Sequence, residues 1–109
     1  MSQLYRFSEY RKTPRRVFFD RAELNQLLSL YSRNVACGEW RDYAIDQVGG
    51  SAIFSVFRHT HDAPLYAIAK QGDSRSTEYV VFSGREKLKR AKSLGDALKV
   101  FKKHIRVVS

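Results

Sequence analysis

Residues 41–58 have the sequence RDYAIDQVGGSAIFSVFR, and this stretch decides the fold. In its first half, Tyr43 and Ile45 are two residues apart, so both side chains are expected on one side of a β-strand. Gly49 and Gly50 form a two-residue turn signal. The second half is rich in Ile, Phe and Val, which favour strands. The stretch therefore predicts an antiparallel hairpin.

The chain downstream of the hairpin continues the same pattern. The whole region predicts an antiparallel meander of four or five strands, at residues 41–48, 52–58, 65–70, 77–82 and 86–91. The last stretch contains a Lys-Leu-Lys-Arg run that suits an exposed edge, because charged side chains on an edge strand oppose pairing with other chains. We therefore expect residues 86–91 at the edge of the sheet.

Upstream of the hairpin, residues 20–36 predict a helix. Asp20 is a good N-cap, and Glu23 three residues later gives an acidic variant of the capping box. The apolar residues of this segment recur at helical spacing and share one face, and they are Leu24, Leu27, Leu28, Tyr31 and Val35. Gly38 is placed where a glycine commonly ends a helix.

A second helix is predicted at residues 93–103, where Ser93 and Asp96 repeat the capping pattern. The order of elements is helix, strands, helix. This order predicts an α+β fold with an N-terminal helix, a meander sheet of four or five strands, and a C-terminal helix packed on one face. Residues 17–109 are expected to form a single domain, preceded by a flexible basic arm at residues 1–16.

The chain has 109 residues and a net charge of +9, and the charge is unevenly placed. Residues 1–16 carry +4, residues 17–83 carry −2 and residues 84–109 carry +7. Basic segments of this kind favour binding to a polyanion, so RNA or DNA is the first predicted partner. The residues expected to contact phosphates are Arg15, Arg16, Lys87, Lys89, Arg90 and Lys92. A solvated surface without a partner is the alternative interpretation of the same charges.

Three stretches of the sequence carry a resemblance to a known domain family. They are the segment from Phe19 to Tyr31 with its Glu23-Leu24 and Leu27-Leu28 pairs, the run Gly-Glu-Trp-Arg-Asp-Tyr-Ala-Ile-Asp at 38–46, and residues 54–58 with 64–66. Over about residues 17–106 the chain resembles a small alphaproteobacterial domain family of unknown function. The resemblance implies a small bacterial, cytoplasmic protein. It implies no activity and supplies no catalytic or binding residues.

A second hypothesis is a protein-interaction adaptor centred on Trp40, Arg41 and Tyr43, with an acidic protein as partner. An aromatic ring and a guanidinium side by side can anchor a peptide and bind a carboxylate. The structural alternative is that Trp40 closes the core at a helix–strand junction, with Asp42 or Asp46 pairing with Arg41 or Arg58. Both interpretations stay open at this point.

Enzymatic, metal and cofactor sites have little support in the sequence. His59 and His61 are the best candidate metal ligands, and Asp62 could add an oxygen, but two loop histidines without a third clear ligand are usually ordinary loop residues, so no metal is expected. No catalytic residues and no cofactor are assigned, and an enzyme with an unknown substrate is the least supported hypothesis. Cys37 is the single cysteine, which excludes an intrachain disulfide. No apolar stretch has the length of a membrane span or a signal peptide, so a cytoplasmic protein is expected. The oligomeric state is left open.

Overall fold

The computed structural model describes residues 17–59, 63–72 and 76–102. Its elements are α1 (Arg21–Ala36), β1 (Asp42–Val48), β2 (Ser51–Phe57), β3 (Tyr66–Gly72), β4 (Thr77–Ser83), β5 (Glu86–Ala91) and α2 (Leu94–Ala97). All five predicted strands are present, including the strand at Glu86–Ala91, which the sequence left open. The predicted α+β fold is therefore confirmed.

Helix α1 begins where the capping residues predict. The side chain of Asp20 accepts a hydrogen bond from the N–H of Glu23 at 2.8 Å. The side chain of Glu23 accepts one from the N–H of Asp20, also at 2.8 Å. These reciprocal bonds satisfy two backbone donors that the first turn of a helix otherwise leaves without partners.

The five strands form one antiparallel sheet in sequence order, β1-β2-β3-β4-β5. Gly49 and Gly50 both have positive φ and close the β1–β2 hairpin, so that Val48 pairs with Ser51. In the middle of the sheet, Phe54 pairs with Ile68, and Ile68 pairs with Val81. Since paired residues point to the same face, these three side chains form a row across the sheet.

This row belongs to the face on which the helices pack, and we call it the helix face. The buried core contains Leu27 and Leu30 from α1, the strand row just described, and Leu94, Ala97 and Phe101 from the C-terminal segment. The opposite face, which we call the outer face, carries Ile53, Ala69, Val80 and Arg90 in one paired row. The described helical residues of the core cluster belong with the strand row of the helix face.

The C-terminal helical segment differs from the prediction of one continuous helix. Ser93 caps α2 as expected, since its hydroxyl accepts a hydrogen bond from the N–H of Asp96 at 3.2 Å. The helix is interrupted at Leu98, and helical backbone resumes at 99–102. The N–H of Phe101 then bonds the carbonyl of Leu98, a tighter i to i+3 turn than an α-helix makes. None of the described helices has the length and hydropathy needed to cross a membrane.

Candidate functional site

Five basic side chains lie on or beside β5, an edge strand of the sheet. Lys87, Lys89 and Arg90 belong to the strand, and Arg85 and Lys92 flank it. All except the half-buried Lys89 are exposed. We call these five residues the basic edge. The structure thus brings together the four predicted phosphate-binding residues of this segment, and it adds Arg85, which the sequence-based prediction missed.

The basic edge has few acidic partners. Arg90 Nε lies 3.5 Å from Glu78 Oε1, and both side chains are largely open to solvent. No other member of the basic edge forms an ion pair with a described residue. A surface pair of this kind contributes little to stability, because water screens it. Most of the positive charge along this edge is therefore available to a polyanion.

A bulge divides the basic edge between the two faces of the sheet. Phe82 pairs with Lys87 and Val81 pairs with Lys89, so the register shifts by one residue between them. Lys87 therefore points to the outer face and Lys89 to the helix face. In a regular strand Lys87 and Lys89 would share a face because they are two residues apart, but the bulge inserts a residue between them and separates them.

The side chain of Arg90 points to the outer face, because Arg90 is paired with Val80. Lys87 and Arg90 are thus the strand residues that share a surface on this side. Half-buried Phe82 belongs to the same face and is the cross-strand partner of Lys87. An aromatic ring beside two cations is an arrangement that can stack a base and hold its phosphate.

On the helix face, Lys89 lies near the start of α2. The pKa of the Asp96 carboxyl is lowered, first by a hydrogen bond from Lys99 and by the charge of that lysine. A hydrogen bond from Ser93 and the charge of Lys89 act in the same direction. Lys99 Nζ lies 3.1 Å from Asp96 Oδ1. Lys99 is therefore partly neutralised, and Lys89 faces a local acid.

The other two predicted phosphate contacts, Arg15 and Arg16, lie outside the described residues. The same holds for His61 and Asp62, two of the three candidate metal ligands. Within the described ranges, no group of three or more His, Cys, Asp or Glu side chains could hold a metal ion.

Trp40 lies in the core rather than on the surface. Its side chain is only 5% exposed. Its ring centroid is 5.5 Å from that of Phe101 and 6.1 Å from that of Tyr66, and the last two are 5.0 Å apart. The two contacts of Phe101 are edge-on and the contact between Trp40 and Tyr66 is tilted, and together they close the core where α1 passes into β1. The ring is therefore not presented to a partner in this conformation.

A cavity of about 430 Å³ lies next to Trp40, lined by Gly38, Glu39, Trp40, Arg41, Arg58 and His59. Arg58 Nη2 lies 2.9 Å from Glu39 Oε1, so Arg58 pairs with Glu39 rather than with Asp42 or Asp46. Arg41 is exposed, and no described residue accepts a hydrogen bond from its guanidinium. Of the three predicted partner-binding residues, Arg41 and Tyr43 are accessible.

Tyr43 is 43% exposed. Its ring nevertheless packs against two others, with centroids 4.8 Å from Tyr31 and 5.4 Å from Phe54. The phenol of Tyr31 donates a hydrogen bond to the carbonyl of Arg41 at 2.6 Å. This contact fixes the backbone at the start of β1, so the rim of the cavity is held in place.

A buried polar cluster was not predicted from the sequence. Glu23 is 7% exposed, and its carboxylate accepts hydrogen bonds from the phenol of Tyr79 and, at 2.7 Å, from Lys70 Nζ. The same ammonium donates to the carbonyl of Phe18 at 2.8 Å. Burial first, and then the hydrogen bond and charge of Glu23 with the charge of Asp20, raise the pKa of Tyr79. All the polar groups in this cluster find partners, which is typical of a structural anchor.

No curated protein and no solved structure matches this chain. A family model described as "Protein of unknown function (DUF2794)" matches residues 17–98, which include every element from α1 to α2. This match confirms the resemblance to an uncharacterised domain family and assigns no activity. The chain belongs to the DUF2794 family.

Proposed function

We propose that this protein is a non-catalytic binding domain that contacts nucleic acid through the basic edge. The observation that carries the proposal is the grouping of Arg85, Lys87, Lys89, Arg90 and Lys92 on an open strand, with one ion pair of 3.5 Å among described residues. Phosphates attract such a row of cations, and releasing their counterions drives binding. We expect low sequence specificity, because phosphate contacts carry no base information.

The outer face supports the same proposal. Lys87 and Arg90 share this face with Phe82, and Phe82 is the cross-strand partner of Lys87. A strand held along the basic edge would have its phosphates beside the two cations and a base within reach of the ring. This geometry favours a single-stranded segment of RNA or DNA over a rigid duplex.

Fluorescence anisotropy with labelled single-stranded RNA and DNA tests the proposal. We expect binding in low salt that weakens as salt rises, with a logarithmic slope of about −3 for four to five phosphate contacts on a single strand. Lys87→Glu with Arg90→Glu should weaken binding to all sequences about equally. No binding at micromolar protein in low salt would overturn the proposal.

A matched control is Arg21→Glu with Arg33→Glu, which makes the same change of net charge. Both residues are exposed on α1, near its first and last turns. A glutamate at position 21 is favourable to the helix dipole and a glutamate at position 33 is unfavourable, so the two effects on stability oppose each other. If this control weakens binding as much as the basic-edge variant does, net charge explains the binding and the basic edge does not.

The cavity beside Trp40 favours a second candidate, an adaptor for an acidic protein segment. The guanidinium of exposed Arg41, which has no acceptor among the described residues, lies at the rim of this cavity and could hold a carboxylate. A pull-down after nuclease treatment that recovers one protein, and loses it with Arg41→Ala, would support the adaptor. Retention of that protein by the Arg41→Ala variant would count against it.

A further inference from the structure

The first strand leaves one of its sides without a partner in the described part of the chain. β1 is an edge strand, and β2 pairs with its other side. The carbonyl of Phe57 faces β1, since it accepts a hydrogen bond from the residue just before that strand. Because hydrogen-bonding direction alternates, the bonds to β2 run through Asp42 and every second residue after it. The backbone groups of Tyr43, Ile45 and Gln47 therefore point away from the sheet.

The side chains at this edge are unusually apolar for a surface. Among described residues, five large apolar side chains are strongly exposed, and four of them lie on or beside β1: Phe18, Tyr43, Ile45 and Val48. Phe18 belongs with them because the residue before it accepts a hydrogen bond from the side chain of Gln47. Exposed apolar residues grouped in this way commonly mark a contact surface.

The two edges of the sheet differ in how they are protected against added strands. β5 has a bulge and carries Lys87, Lys89 and Arg90, all of which discourage pairing. β1 has a regular register over all seven residues and contains no Lys, Arg or Pro. The β1 edge is thus open to an added strand in a way that the β5 edge is not.

Charge also decides which edge a second copy of this chain can use. Pairing of two β5 strands would bring both basic edges together. If two copies pair through β1 instead, their β5 strands lie nine strand spacings apart, about 43 Å. This distance is several times the Debye length of about 8 Å at physiological salt, so the charges are screened from each other. The basic edge therefore opposes pairing through β1 only weakly.

One antiparallel register between two β1 strands pairs all seven residues of each strand, and it has two-fold symmetry. The two copies of Ile45 then face each other at the centre, and Tyr43 of each copy lies opposite Gln47 of the other. These are the residues whose backbone groups point away from the sheet, so their N–H and C=O groups meet those of the second copy. Phe18 lies beside Gln47 and so comes close to Tyr43 of the second copy.

The same register keeps the acids of β1 from facing each other. Both acids point to the outer face, since Asp46 is paired with Ile53 of that face and Asp42 is four residues away. In the full register Asp42 lies opposite Val48. Asp46 lies opposite Ala44. Sliding one copy by two residues would place Asp42 opposite Asp46, or two copies of Asp46 face to face, and like charges directly opposite are destabilising. Full pairing and charge thus favour the same register.

We propose that two copies of this chain associate through β1 and form one continuous ten-stranded sheet. The four apolar side chains, with exposed fractions from 43% to 63%, offer about 400 Å² per copy, at roughly 200 Å² for a large apolar side chain. An added strand also covers a backbone edge of about 23 Å. Counted on both copies, these surfaces approach about 1,200 Å², the lower limit for a specific interface. The dimer is therefore expected to dissociate in the micromolar range.

Sedimentation equilibrium of the full chain, from about 1 to 500 µM, tests the proposal. We expect the mean mass to rise from 12.6 kDa, that of one copy, toward twice that value. The amides of Tyr43 and Ile45 should exchange at least about tenfold more slowly at the highest concentration than at the lowest. The amide of Ala44, which bonds β2, should be protected throughout.

Two outcomes would overturn the proposal. The first is the mass of a single copy at every concentration. The second is protection of Tyr43 and Ile45 at concentrations where a single copy is present, because the edge would then be covered without a second copy.

A charge at the centre of the interface should separate the two copies. Ile45→Lys places two ammonium groups opposite each other and should raise the dissociation constant at least about tenfold. Val35→Lys is the matched control, because it makes the same change at an exposed apolar residue of α1. The control should dimerise as the wild type does. Equal weakening in the two variants would overturn the proposal, since net charge alone would then explain the loss.

A cysteine cross-link tests the register. With the exposed Cys37 replaced by Cys37→Ser, Ile45→Cys places two thiols on paired residues whose Cα atoms are about 5.5 Å apart. This separation allows a disulfide, so oxidation by diamide should link most of the protein into dimers. In Gln47→Cys, the matched control, the two thiols lie four residues apart along the strands, about 14 Å, and cannot be bridged. Cross-linking of the control, or of neither variant, would overturn the proposal. These measurements use no nucleic acid, so their outcome is independent of the function proposed above.

Discussion

Tyr79 donates a hydrogen bond to the carboxylate of Glu23, and this bond ties the first turn of α1 to β4. Lys70, the cross-strand neighbour of Tyr79, binds the other oxygen of the same carboxylate at 2.7 Å. That oxygen also accepts the N–H of Asp20. One buried carboxylate thus joins the start of the helix to two strands, and it fixes where α1 crosses the sheet.

Tyr79→Phe should lower the free energy of unfolding by about 1–3 kcal/mol. The variant keeps the ring in place but removes a donor from a buried carboxylate, which leaves one oxygen short of a partner. Urea unfolding followed by circular dichroism measures the loss, and the m-value should not change, because the fold buries the same surface.

Tyr31→Phe is the matched control for this substitution. The phenol of Tyr31 donates to the carbonyl of Arg41, but that bond is exposed to solvent. Water can replace the lost donor there, so we expect a loss of about 1 kcal/mol or less. Equal losses in the two variants would contradict the view that Glu23 depends on Tyr79.

The stability of the protein should fall at alkaline pH because of Tyr79. The pKa of Tyr79 is raised in the fold above the ordinary tyrosine value of 10.0, mainly by burial and then by Glu23. The folded state therefore holds the phenolic proton more tightly than the unfolded chain does. The contribution of Tyr79 to the free energy of unfolding is complete below about pH 10. It declines as the pH rises further, because the phenol ionises first in the unfolded chain.

Urea unfolding of the wild type and of Tyr79→Phe between pH 8 and about 11 measures this effect. The difference between the two should shrink as the pH rises, and lysine titration common to both cancels in that difference. Burial also raises the pKa of Tyr31, so the variant keeps some alkaline sensitivity. A constant difference across the range would show that Tyr79 titrates alike in both states.

The elements that the sequence predicted well are those set by local chemistry. Asp20 and Glu23 lie three residues apart and need only one turn of helix to meet, so the start of α1 could be located. The hairpin turn could be located in the same way, because Gly49 and Gly50 adopt the positive φ that it needs without help from distant residues. The break at Leu98 could not be predicted, because Leu, Ala and Lys all favour a continuous helix. Packing decides it there, since Phe101 lies against Trp40 and Tyr66.

The candidate site was predictable as a segment but not as a surface. The bases of residues 85–92 are visible in the sequence, whereas the bulge that separates Lys87 from Lys89 depends on how β5 pairs with β4. The buried polar cluster around Glu23 could not be predicted either, for a similar reason. Strand alternation places Lys70 and Tyr79 on the helix face, but only the path of α1 over the sheet brings Glu23 to them.

Trp40→Ala should lower the free energy of unfolding by about 3–5 kcal/mol, because it leaves a cavity between Tyr66 and Phe101. Thermal unfolding by circular dichroism measures the loss. Tyr43→Ala removes a ring that is already 43% exposed and should cost clearly less. A Trp40→Ala variant as stable as the wild type would contradict the placement of this ring in the core.

Two glycines with positive φ should respond very differently to alanine. A Cβ on Gly72, whose φ is +125°, would lie 2.1 Å from the carbonyl oxygen of Ser76, and the obstacle is backbone that cannot swing away. A Cβ on Gly84, whose φ is +62°, meets no atom within 4 Å. We expect Gly84→Ala to cost about 1–2 kcal/mol for its left-handed backbone alone. Gly72→Ala should cost more, about 3 kcal/mol, because the clash adds to the strain. Urea midpoints of the two variants measure the contrast, and equal midpoints would contradict the clash with the Ser76 carbonyl.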